Sequence, residues 1–124
     1  MALHHKLCHT LGGSFNLPHA ETHTIVLPHA LAYNAVAAPK AMRIIAEALG
    51  AADAAQGLYD LARDNGAPMA LRDIGMQEKD VEQACSIAMQ NQYPNPRPLE
   101  SSAIRALLFA AWKGERPERD QSDY

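Results

Sequence analysis

The chain has 124 residues, 48% of them apolar, and a formal net charge of −3. That suits one domain with a single compact core and leaves no room for a second full domain. No basic run stands out, which argues against a nucleic-acid binder that neutralises phosphates, and no stretch approaches the ~18 consecutive apolar residues of a membrane span. The first residues lack the basic start and apolar block of a secretory signal. Cys8 and Cys85 lie far apart in helical-looking runs, so a reduced, cytoplasmic protein is expected.

Alanine is the commonest residue, and Leu, Met, Glu and Gln are frequent, so the chain reads as all-α. A first helix is predicted from Ala2 to Leu11, stopped by Gly12-Gly13. A polar turn over residues 14–18 leads to a second helix that starts near His19 or Ala20 and runs toward Ala38. Pro28 lies inside it, so a kink or break is expected there; Thr22 to Leu27 is the one β-like stretch. Pro39 opens and Gly50 closes a third helix with Met42, Ile45, Ala46 and Leu49 on its apolar face. A fourth, about Asp53 to Arg63, offers Leu58, Leu61 and Ala62 and ends before Asn65-Gly66. A short turn ending at Ile74-Gly75 precedes a fifth, Glu78 to Met89, with Val81, Ala84, Cys85 and Ala88 on one face. An irregular proline-rich linker, Tyr93 to Pro98, separates it from a last helix, about Glu100 to Lys113. Ile104, Leu107, Leu108, Ala111 and Trp112 recur there at helical spacing. Residues 1–114 thus form the helical body, and 115–124 a polar tail expected to be disordered.

The six histidines all fall within the first 29 residues: His4, His5, His9, His19, His23 and His29. His5 and His9 are one helical turn apart and share a face. His19 follows ten residues later, beyond the glycine pair, at the start of the next helix. Three imidazoles from one helix–turn–helix suit zinc or ferrous iron, and equally proton transfer near neutral pH. A lone His-x-x-x-His pair is commonly a surface feature. Three histidines also fall short of a closed structural zinc site, and neither cysteine looks well placed to be a fourth ligand. His4, Lys6 and His23 add positive potential suited to an anionic substrate such as a carboxylate, with solvation as the plainer reading of Lys6. His29, beside Pro28, reads as structural, and Cys85 as an inert buried thiol.

The stretch from His5 through Leu11-Gly12-Gly13 to Pro18-His19 resembles the histidine signature of the iron-containing (group III) alcohol dehydrogenases. The run Ile25-Val26-Leu27-Pro28-His29 continues it. Leu3-His4-His5-Lys6-Leu7-Cys8-His9 and His19-Ala20-Glu21-Thr22-His23-Thr24 are most similar to the maleylacetate reductase branch. Gly57-Leu58-Tyr59-Asp60-Leu61-Ala62 and the proline-rich stretch from Asn91 to Pro98 agree with it, so the resemblance spans about residues 1–113.

The resemblance implies the all-helical C-terminal domain of the iron-containing alcohol dehydrogenase (dehydroquinate synthase-like) fold. An N-terminal α/β domain that binds NADH or NADPH would complete the cleft, and that domain is expected to be missing here. It implies metal-ligand positions at His5 and His19, with Fe or Zn as the candidate metal and further ligands upstream of Met1. His9 falls on the histidine near nicotinamide and substrate, the expected proton donor or polariser. His4, Lys6 and His23 become candidate contacts to a small dicarboxylate. Ala20 stands where most alcohol dehydrogenases of the family have glycine after the ligand histidine, a change the maleylacetate reductases share; it puts the metal in doubt. The implied reaction is NAD(P)H-dependent reduction of maleylacetate to 3-oxoadipate in aromatic catabolism, by a cytoplasmic homo-oligomer without nucleic-acid or membrane partners. Two rivals stand beside it. One is part of a metal-dependent alcohol dehydrogenase, and the other is a non-catalytic helical body that self-associates.

Overall fold

The computed structural model describes residues 2–90 and 100–117, apart from the side chains at positions 2, 5, 19 and 36. Six α-helices and two short 3-10 turns, and no strand, make up the described residues. They are α1 (Ala2–Phe15), α2 (His19–Asn34), α3 (Pro39–Leu49), α4 (Ala54–Asp64), α5 (Glu78–Met89) and α6 (Ser101–Lys113). The 3-10 turns are Ala35–Ala37 and Leu71–Ile74. Among the described residues no helix is long and apolar enough to cross a membrane. The expected linker Tyr93–Pro98 and the tail beyond Pro117 lie outside the described residues.

Helix α2 is the hub, touching α1, α4, α6 and both 3-10 turns. Its buried residues, from Thr22 and Ile25 to Leu31, Tyr33 and Asn34, face every direction round the helix, as a central helix requires. Its first half joins α1, α5 and α6 in one core built on Leu3, Leu7, Leu11, Ile25, Val26, Val81, Ile104 and Leu108. Its last turns join α3 and α4 in a second core with Leu31, Met42, Ala46, Ala54 and Ala55.

Local signals set most of the helix ends. Pro39 opens α3 and Gly50 closes it in the left-handed conformation, φ +66°. Asp53 caps α4, its side chain accepting the Gln56 N–H at 2.9 Å. Asp80 reaches back to accept the Gln77 N–H at 3.1 Å at the start of α5.

Two expected breaks are absent. Helix α1 runs through Gly12-Gly13 to Phe15, because continuing it sets Phe15 against the core one turn beyond fully buried Leu11. The stop falls at Asn16, which adopts φ +54°, a conformation asparagine tolerates better than most residues. Helix α2 runs through Pro28 without a break in its assignment. Pro28 is fully buried, and packing on both sides of it outweighs the hydrogen bond that its missing N–H cannot make. At the other end α2 stops at Asn34, and Ala35–Ala37 form a 3-10 turn where helix was expected as far as Ala38. Leu61, expected on the apolar face of α4, is exposed.

Long-range polar contacts tie the helices together. The Trp112 indole N–H donates to the Met76 carbonyl at 2.8 Å, and the Tyr59 hydroxyl to that of Gly114 at 2.7 Å. Residues 115–117, expected to begin a disordered tail, are docked instead. Arg116 grips Asp60 with two hydrogen bonds, 3.0 and 2.8 Å, and the Gln56 amide donates to the Pro117 carbonyl at 2.9 Å. The Arg116 guanidinium, chiefly through that hydrogen bonding, holds the Asp60 carboxyl below its usual range.

Gly114 ends α6 at φ +81°, where a Cβ would meet that of Ala70 at 2.8 Å and the Met69 carbonyl at 3.2 Å. Gly114→Ala should lower the stability by about 1–3 kcal/mol in urea unfolding. Gly13, inside α1 with nothing within 4 Å of its would-be Cβ, gives the opposite sign. Gly13→Ala should stabilise by about 0.5–1 kcal/mol.

Candidate functional site

The histidine-rich segment folds into α1, a three-residue connection and α2, packed against each other. Asn16 turns the chain, Leu17 is buried under it, and the Thr22 N–H and hydroxyl both bond the Pro18 carbonyl. This closes the first turn of α2 and sets its register against α1. Leu3, Leu7 and Leu11 bury one stripe of α1, so the residues between them project beside or away from the α1–α2 seam.

Within that seam the structure brings together His4 and Cys8 of α1 and His23 of α2. The two imidazoles meet edge to face, centroids 5.0 Å apart and planes at 85°. His4 Nε2 lies 3.3 Å from the His23 carbonyl oxygen. A carbonyl can only accept, so His4 Nε2 is the donor in this contact. One candidate ligand atom from each of His4, Cys8 and His23 falls within 4.8 Å of the others. Both histidines are half-buried, whereas Cys8 is buried, and loss of solvent pushes its thiol up to about 12.

The remaining predicted residues are distributed differently. His9, one position beyond Cys8, stands exposed on α1, and Lys6 is half-buried. The side chains of His5 and His19, the expected metal ligands, lie outside the described residues; their backbones sit in the second turn of α1 and at the first residue of α2. His4 and His23 are side by side. Cys8, set aside in the sequence as poorly placed to be a fourth ligand, lies beside His4 and His23. Its i,i+4 spacing from His4 was the signal that could have found it.

His29 is buried, consistent with a structural position, and its Nε2 has no hydrogen-bond partner. It lines a cleft of about 450 Å³ together with Tyr33, Leu107 and Arg116. Burial without a compensating partner lowers its pKa from 6.5 to about 4.

Residues 1–112 match the Fe-containing alcohol dehydrogenase family, C-terminal. The maleylacetate reductases of Pseudomonas sp. (strain P51) and Delftia acidovorans are each 63% identical to the chain over 118 residues, 95% of its length. The crystal structure of maleylacetate reductase from Agrobacterium tumefaciens superposes with a TM-score of 0.90 at 49% identity, over 94% of this chain and 33% of that one. The chain spans about a third (34%) of the length of the curated relatives it matches.

The buried His29 sets a pH dependence. The fold favours its neutral form, so its contribution is intact above the unfolded pKa of 6.5 and is lost as pH falls toward about 4. Urea unfolding should show up to about 3 kcal/mol of destabilisation across that window, absent in His29→Leu. The His29 ring proton shifts should titrate with a midpoint near about 4 rather than near 6.5 in nuclear magnetic resonance.

Proposed function

The chain belongs to the Fe-containing alcohol dehydrogenase family, and from that premise we propose that it supplies the helical side of a maleylacetate reductase active site. The reaction is reduction of the carbon–carbon double bond of maleylacetate to give 3-oxoadipate. The observation that carries this reading is the 63% identity to maleylacetate reductases, sustained over 95% of the chain and across the whole histidine-bearing segment.

Bound NADH or NADPH supplies the hydride. The described residues contain no strand, and so no strand–glycine turn–helix phosphate site. The nicotinamide dinucleotide is therefore assigned mainly to an α/β portion that faces this helical one. Hydride addition to one alkene carbon leaves enolate charge on the other side of the double bond. Lys6, with the paired His4 and His23, orients the substrate carboxylates by charge and hydrogen bonding. His9, exposed on α1, delivers a proton to the neighbouring carbon and is left neutral until it is reprotonated from water.

The family name implies iron. At the carried-over positions this chain offers two imidazoles, His5 and His19. Two imidazoles are short of the two-histidine, one-carboxylate set that non-haem iron takes as a minimum facial triad. The candidate ligands that the described residues bring together on these helices, His4, Cys8 and His23, include no carboxylate. The residues present do not by themselves fit an iron site, and no step is derived through one.

One observation favours a second reading, a helical body that associates without turnover: Ile44 and Leu61 are 61% and 52% exposed. NADH and NADPH oxidation with maleylacetate, measured beside sedimentation of the same sample, separates the two. The chain combined with the α/β portion of a close relative should turn over. A folded, associated sample with no turnover in that combination favours the second reading. Within the active combination, His9→Gln should lower turnover by ~100-fold or more, the usual scale of general acid catalysis. A loss of less than about tenfold would remove His9 from the proton-transfer role.

A further inference from the structure

We propose that His4, Cys8 and His23 form a binding site for a thiophilic divalent cation, zinc above all. This site is separate from the His5 and His19 positions; it shares His4 and His23 with the substrate contacts of the reductase reading but does not rest on that reading.

The donor set is two imidazoles and one thiol, drawn from two helices that pack on each other. Nitrogen and sulfur ligands select zinc over magnesium or calcium, which take oxygen. Zinc binds at ~2.0–2.1 Å from nitrogen and ~2.3 Å from sulfur, so a tetrahedral site holds neighbouring donor atoms about 3.4–3.6 Å apart. Here they lie within 4.8 Å of one another. The contraction needed is on the order of 1 Å. The site as proposed takes this up by side-chain rotation of the half-buried imidazoles.

The hydrogen bond from His4 Nε2 to the His23 carbonyl is the second, independent observation. Metal-bound histidines usually donate their other ring N–H to a carbonyl or carboxylate, which fixes tautomer and ring plane. His4 makes that contact before any metal arrives. The carbonyl that holds it is the backbone carbonyl of His23, so the His4 ring is tied to the helix that carries the other proposed imidazole ligand.

Cys8 anchors the site from the buried side. On binding, its S–H bond breaks, a metal–sulfur bond forms and the proton passes to solvent. The cation then carries the thiolate charge that the buried position disfavours on its own. Three protein ligands leave a fourth position, filled by water or a carboxylate oxygen, the pattern of zinc sites that take an exogenous ligand.

Cobalt(II), added to the reduced 124-residue chain, is the probe. A thiolate ligand gives an intense near-ultraviolet sulfur-to-cobalt band; cobalt held only by imidazoles, as at a His5–His19 pair, does not. The chain should develop this band at one equivalent and lose it to zinc. Cys8→Ser should abolish it, and Cys85→Ser should leave it. His4→Gln and His23→Gln should each weaken binding by about tenfold or more. Circular dichroism checks each variant. If Cys8→Ser does not fold, His23→Gln, which alters a half-buried side chain, decides the matter. No band in the folded parent chain overturns the proposal, as does a band that persists in folded Cys8→Ser or resists both histidine substitutions.

Discussion

Helix α2 has to bury side chains all round its circumference, and the rest of the molecule is arranged to let it do so. α1, α5 and α6 cover its first half, and α3 and α4 its end. Burial on this scale also encloses polar groups, which must be satisfied or tolerated. Thr22 meets the need locally by bonding the Pro18 carbonyl, and the Tyr33 hydroxyl accepts the Glu100 N–H at 3.0 Å. His29 has no such partner at Nε2 and remains neutral instead.

The same constraint explains the histidine segment. Because α2 must stay in register with α1, Asn16 takes a left-handed conformation and Leu17 is pinned beneath the turn. His23 of α2 then lies over His4 of α1, with Cys8 one turn further along. Packing leaves the His9 imidazole exposed there and sets a half-sheltered imidazole pair beside a desolvated thiol.

The helical class and the two central runs of apolar residues on α5 and α6 were legible before any coordinates. So were the ends of α3 and the start of α5, because Pro39, Gly50 and the Gln77–Asp80 pair act through local backbone geometry. Three features were misjudged from local rules. Gly12-Gly13 was taken as a stop, yet it sits inside α1, and at Pro28, expected inside the second helix with a kink or a break, α2 runs on without a break. Residues 115–117 were assigned to a loose tail, yet Arg116 reaches Asp60 on α4. In each case a preference of ~1–3 kcal/mol was opposed by contacts from distant parts of the chain.

The sequence by itself determined that the chain is all-helical, where most helices end, and which family it resembles, because composition, capping and motif order are local properties. It also singled out His4, His5, Lys6, His9, His19 and His23 as candidate site residues. Only the tertiary structure decided which described ones meet. His4 and His23 are separated by 19 positions, and nothing in their spacing sets the crossing of α1 and α2 that puts their rings 5.0 Å apart. That crossing depends on side-chain packing along the whole seam, a cooperative property that no single residue carries.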